Sequence, residues 1–92
     1  MRPIHPGEVL REEFLVPLNM SVVALANALN VTPACIDEIV QERRAVTAET
    51  ALRLARYFGG DAQSWLNLQQ AYDLKVGEAE MRAALDMIEP MG

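Results

Sequence analysis

The chain is short of the residues that most chemistry needs. It has one cysteine and one histidine in 92 residues. A single Cys35 excludes an internal disulfide framework and suits a reducing compartment. With His5 as its lone possible companion, it provides no zinc ligand set of the usual kind. No Gly-rich phosphate loop and no nucleophile–base pair is present, so the sequence implies no enzyme and no cofactor. No apolar run approaches a membrane span, and MRPIHPGEV does not read as a signal peptide, so the expectation is a cytoplasmic protein.

Positive charge is also scarce. The net charge is −5, which on its face argues against a nucleic-acid partner. Its distribution changes that picture. Residues 77–92 hold Glu78, Glu80, Asp86 and Glu89 against Arg82, a net of −3, which leaves −2 for residues 1–76. Arg43, Arg44, Arg53 and Arg56 cluster in the middle of the chain. A local basic face matters for nucleic acid more than the total does.

What is present is helix. At 51% hydrophobic and 23% charged, the composition is that of an ordinary globular domain. The stretch Ser21 to Gln41 reads as two short helices and a tight turn. Val22, Leu25, Ala26 and Leu29 form one apolar stripe, with Ser21 as N-cap. Asn30 tolerates the left-handed backbone that turns the chain. Thr32-Pro33 opens the second helix, and Ile36, Ile39 and Val40 give its buried side. The small Ala26 at the crossing, Asn30 in the turn, and Val31, Ile36 and Ile39 as plugs fit the spacing of a helix-turn-helix.

The flanks extend the same pattern. Met1 to Pro6 reads as an extended arm with His5 exposed in it. Gly7 to Val16 reads as a helix stopped by Pro17, with Val9, Leu10 and Phe14 inward and Glu8, Glu12 and Glu13 outward. Glu42 to Val46 reads as a polar connector. Thr47 caps a fourth helix with Ala51, Leu54, Ala55 and Phe58 on its stripe, and Gly59-Gly60 ends it. Asp61 caps a fifth, in which Trp65, Leu66, Leu68 and Tyr72 offer both core closure and contact with a second subunit. Gly77 reads as a break before a last short helix from Glu78 to Glu89, with Met81, Ala84, Leu85 and Ile88 on one face. The expectation is an all-α bundle of about five helices plus a short C-terminal helix. It divides into a helix-turn-helix domain at 1–76 and an acidic amphipathic segment at 77–92.

In a helix-turn-helix the second helix enters the major groove. Here its outward positions are Thr32, Ala34, Cys35, Asp37, Glu38 and Gln41, with Ser21 at the start of the partner helix. Thr32 suits phosphate or base, Ala34 a thymine methyl, Gln41 an adenine, and Asp37 or Glu38 only a cytosine amino group. Arg43, Arg44 and the capped N-terminus at Thr47 suit phosphate. The reading helix has no Arg or Lys and carries two acids, which points to the alternative of an interaction module with little specific DNA binding.

HPGEVLREEF, the helix-turn-helix and ERRAVTAETALRLARYFGGDAQSWLNLQQAYDL together resemble the HigA-type, or VapI-like, antitoxins of the Xre/Cro helix-turn-helix family. The likeness runs from about Ile4 to Leu74. It implies a lambda-repressor-like homodimer that binds double-stranded DNA at its own operator and represses its operon. It also implies a HigB-like mRNA-interferase toxin as partner. The acids Glu78, Glu80, Asp86 and Glu89 would suit the basic surface of such a toxin, with Glu8, Glu12 and Glu13 of the first helix next in line. Val22 and Glu42 depart from the family pattern, in which a polar residue and a glycine are frequent at those places.

Overall fold

The computed structural model describes residues 2–92, and six helices account for the chain among them. Helix α1 covers 6–18 and changes type along its length. It is α-helical over Pro6–Val9, π-helical over Leu10–Leu15 and α-helical again over Val16–Leu18. Helices α2 (Val22–Leu29) and α3 (Pro33–Val40) form the helix-turn-helix. Helix α4 is Ala48–Phe58, α5 is Ala62–Glu80 and α6 is Arg82–Asp86. No described helix is long and apolar enough to cross a membrane.

The caps follow the sequence closely. Ser21 Oγ accepts from the Ala24 N–H at 3.0 Å, Thr32 Oγ1 from Cys35 at 3.3 Å, and Asp61 Oδ1 from Ser64 at 2.7 Å. Helices α1, α2 and α3 end alike. Asn19, Asn30 and Glu42 all take a left-handed backbone, with φ of 51°, 57° and 63°. The residue after each donates its N–H five residues back: Met20 to Leu15, Val31 to Ala26 and Arg43 to Glu38. This is a Schellman closure, which satisfies the last carbonyls of a helix while reversing the chain. Asn suits that backbone. Glu does not, and its Cβ makes the conformation cost on the order of 1 kcal/mol.

The core lies among α1 to α5, with α2 packed on α3 and α4, α1 on α3 and α5, and α4 on α5. Leu10, Leu25, Ala26, Ile36, Ile39, Ala51 and Leu54 are wholly buried, and Trp65 closes the set. Each large aliphatic side chain removed from water there contributes about 1.5–3 kcal/mol. Ala26, expected at the α2–α3 crossing, is wholly buried. A second close approach went unread in the sequence: a Cβ on Gly7 would lie 1.8 Å from the Ile39 carbonyl oxygen, so α1 rests its backbone on that of α3.

Four expectations need correction. His5 is buried, only 2% exposed; its Nδ1 accepts the Gly7 N–H at 2.8 Å and its ring meets Tyr72 edge-on at 4.8 Å. It caps α1. Pro17 does not stop α1, which runs on to Leu18. The Val16 N–H reaches five residues back to Arg11, and the widened turns before Pro17 give its ring room beside the preceding carbonyls. Val46 is buried, so the connector is polar only in part. Gly77 makes no break, because α5 continues through it to Glu80. Gly lowers helix propensity by about 1 kcal/mol, which a long helix tolerates.

The chain measures 50 × 22 × 21 Å, with a radius of gyration of 15.7 Å. A compact chain of this length has a radius near ~12 Å. The excess comes from the far end of α5 and from α6, where every residue from Met81 onward is exposed.

Candidate nucleic-acid interface

Three helix N-termini carry hydroxyl caps: Ser21 on α2, Thr32 on α3 and Thr47 on α4. Each cap satisfies one backbone N–H and leaves the positive end of the helix dipole at the surface. Ser21, Thr32 and Thr47 are exposed, as are Ala34, Gln41, Arg43 and Arg44. Cys35, Asp37 and Glu38 are half-buried on the flank of α3. The outward face of α3 and the 41–47 connector therefore form one continuous surface.

The two acids of α3 are not free. Gln41 Nε2 donates to Asp37 Oδ2 at 2.7 Å, one helical turn apart. Arg44 Nη2 donates to Glu38 Oε1 at 2.9 Å. Each carboxylate thus faces a donor from its own chain, which reduces the repulsion a phosphate would meet. Arg43 has no carboxylate within 4 Å among the described residues.

The arginine cluster divides into two kinds. Arg43, Arg44 and Arg56 are exposed. Arg53 turns inward, where Nη1 donates to the Leu29 carbonyl at 2.7 Å and Nη2 to Glu49 at 3.1 Å, so it closes the end of α2. Its Nε is buried without a partner. The same service is done for α3 by Arg11, which reaches from α1 to the Val40 carbonyl and lies 3.9 Å from Glu42. A guanidinium at a helix C-terminus meets the negative end of the dipole. Arg11 and Arg53 are structural cations that hold the two motif helices.

The connector is pinned from the other side. Gln69, buried on α5, accepts the Val46 N–H at 2.8 Å and donates to Asp73 at 2.9 Å. With Val46 buried, the loop that presents Arg43 and Arg44 is held at both ends. No pattern in the sequence marked Gln69, because a glutamine in a helical stretch reads as surface. A clue was its place four residues after Trp65, on the buried side of α5.

Trp65, with 6% of its surface exposed, lies in the chain's own core against Phe14. Leu66, Leu68 and Tyr72 are half-buried and leave apolar surface at the side of α5. Among the described residues no three His, Cys, Asp or Glu side chains stand together as metal ligands do.

Comparison with known proteins agrees with this geometry. The family model described as Helix-turn-helix matches residues 10–65. Virulence-associated protein I of Dichelobacter nodosus is 59% identical over 91 residues, covering 99% of this chain and 83% of its own. Antitoxin HigA-1 of Vibrio cholerae is 37% identical over 73 residues, 79% of this chain and 69% of that one. The structure of Pseudomonas aeruginosa antitoxin HigA with the higBA promoter superposes with a TM-score of 0.95 at 46% identity, over 99% of this chain and 100% of that one. With its own helix-turn-helix built as described, the chain belongs to the Xre/Cro helix-turn-helix family, among the VapI-like and HigA antitoxins.

Proposed function

We propose that the chain is a dimeric operator-binding repressor and the antitoxin of a HigB-like mRNA-interferase toxin, acting in the cytoplasm. The family contains DNA-binding regulators and not enzymes. The observation that carries the DNA side is the surface formed by α3 and the 41–47 connector. Thr32, Ala34, Cys35, Asp37, Glu38 and Gln41 meet base edges or the adjoining backbone, and Ser21, Arg43, Arg44 and Thr47 grip phosphate. The superposed HigA is itself bound to promoter DNA.

The projecting end supports a dimer. The surface of the single chain is 6317 Å², against roughly 5300 Å² for a compact monomer of its mass. Leu74, Met81, Leu85 and Ile88 are 42–65% exposed along that end. A second copy covers such a face and sets two reading helices on successive major grooves.

The test is binding to a duplex carrying the operator across a salt series. If Arg43, Arg44 and one more cation act in each subunit, six phosphates are neutralised and the slope of log K against log salt is about −5. An Arg43→Ala/Arg44→Ala variant removes four of them, and the slope falls to about −2. A slope near zero in the unaltered protein refutes the phosphate assignment and leaves a module that acts on proteins alone.

A further inference from the structure

An acid-rimmed groove lies outside the DNA surface and outside the projecting end. It opens between α1, the α4–α5 turn and the start of α5, with a volume of about 470 Å³. Val9, Phe14, Trp65 and Leu68 give it an apolar floor. Glu13 and Asp61 stand on its rim, and no lysine or arginine lines it. The Ser64 N–H and hydroxyl hold the Asp61 carboxyl below its ordinary range, so it carries full charge at neutral pH. Gly59 and Gly60, at φ of 90° and 81°, keep one wall free of side chains.

Charge complementarity decides the occupant. A floor of aromatic and aliphatic groups under two carboxylates fits a Lys or Arg side chain, whose methylene stem covers apolar surface while its head meets an acid. The chain's own C-terminal segment does not fit, since its acids Asp86 and Glu89 would face Glu13 and Asp61. Nucleic acid is repelled outright. The cleft near the C-terminal end, lined by Lys75 and Arg82 as well as Glu78 and Glu80, presents both signs and is the poorer match for a basic partner.

We propose that this groove receives a Lys- or Arg-bearing segment of the basic toxin, and that it, rather than the acids of residues 77–92, is the chief toxin contact. The inference rests on the antitoxin reading. The groove sits at the C-terminal end of α4, while Thr47 and the connector lie at its N-terminal end. Twelve residues of helical rise separate them by roughly 18 Å. Toxin and operator therefore occupy opposite ends of one helix and bind together.

The experiment measures toxin affinity of the full chain and two double variants, using a HigB-like toxin made inactive for expression, with operator binding as the control for folding. Glu13→Lys/Asp61→Asn reverses the rim charge and keeps a capping side chain at position 61. It is expected to lose at least ten-fold in toxin affinity while holding the operator as before. Glu80→Lys/Glu89→Lys alters the C-terminal acids and is expected to bind toxin within two-fold of the unaltered chain. Unchanged toxin affinity in the rim variant overturns the groove, as does a loss confined to the C-terminal variant. An unaltered chain that binds operator but no toxin overturns the antitoxin reading, and the groove proposal with it.

Discussion

His5 illustrates what a single residue can hide. Between two prolines it reads as part of an exposed arm, yet it is the N-cap of α1 and the edge partner of Tyr72. Sequence showed the extended backbone but not the α5 surface it packs on, because that contact spans 67 positions. Burial holds the imidazole pKa below its ordinary value, despite the opposing pull of Glu42 and Asp73. The neutral ring is the form that accepts the Gly7 N–H, so the folded state binds fewer protons than the unfolded one just below pH 6.5. The His5 contribution is complete above that pH and is lost as pH falls toward the depressed folded value. His5 is the chain's only histidine, so melting curves between pH 7.5 and 5.5 isolate it. The midpoint is expected to drop over that range, and the drop is expected to vanish in His5→Asn, which still caps. Gly7 was equally silent in sequence, since only the packed structure reveals that Ile39 leaves no room for a Cβ.

At the scale of elements, much was legible. The stripes of α2, α3 and α4, their hydroxyl caps and the turn at Asn30 all stand where periodicity and cap chemistry place them. These are local signals, written within one or two turns. The connector was not legible, because what fixes it is remote. Its turn uses Glu42 in a conformation that glycine prefers, and its far end hangs on Gln69. Gln69→Ala leaves the Val46 N–H buried without an acceptor, a cost of about 1–3 kcal/mol. The melting midpoint is expected to fall by about 4–8 °C per kcal/mol lost, so by about 4 °C at the low end of that cost and by more than about 10 °C at the high end. Operator affinity is expected to fall further than Arg56→Ala makes it fall, since the loop carrying Arg43 and Arg44 loses its anchor. Equal affinity in the folded Gln69→Ala protein would mean that the connector needs no fixing.

The whole molecule is longer than its sequence suggested. The sequence reads as broken at Gly77, whereas α5 runs through it and carries its apolar residues out past the core. Nothing in the described chain covers Leu85 or Ile88, at 42% and 65% exposure. The proposed second copy predicts a sedimenting mass of twice 10.2 kDa. Leu85→Glu/Ile88→Glu is expected to give a monomer that keeps its helical signal and binds operator roughly ten-fold or more weakly, because two linked half-sites act as one. A variant that sediments as before would move the dimer contact to the side of α5, at Leu66 and Tyr72.

The π-helical stretch Leu10–Leu15 has a meaning for comparison across relatives. Its wide turns hold more residues than an α-helix of the same rise would. One extra residue in such a stretch widens a turn and makes no loop. When a relative is aligned with one residue fewer here, the gap belongs inside α1, between two buried leucines, and both ends of the helix keep their places.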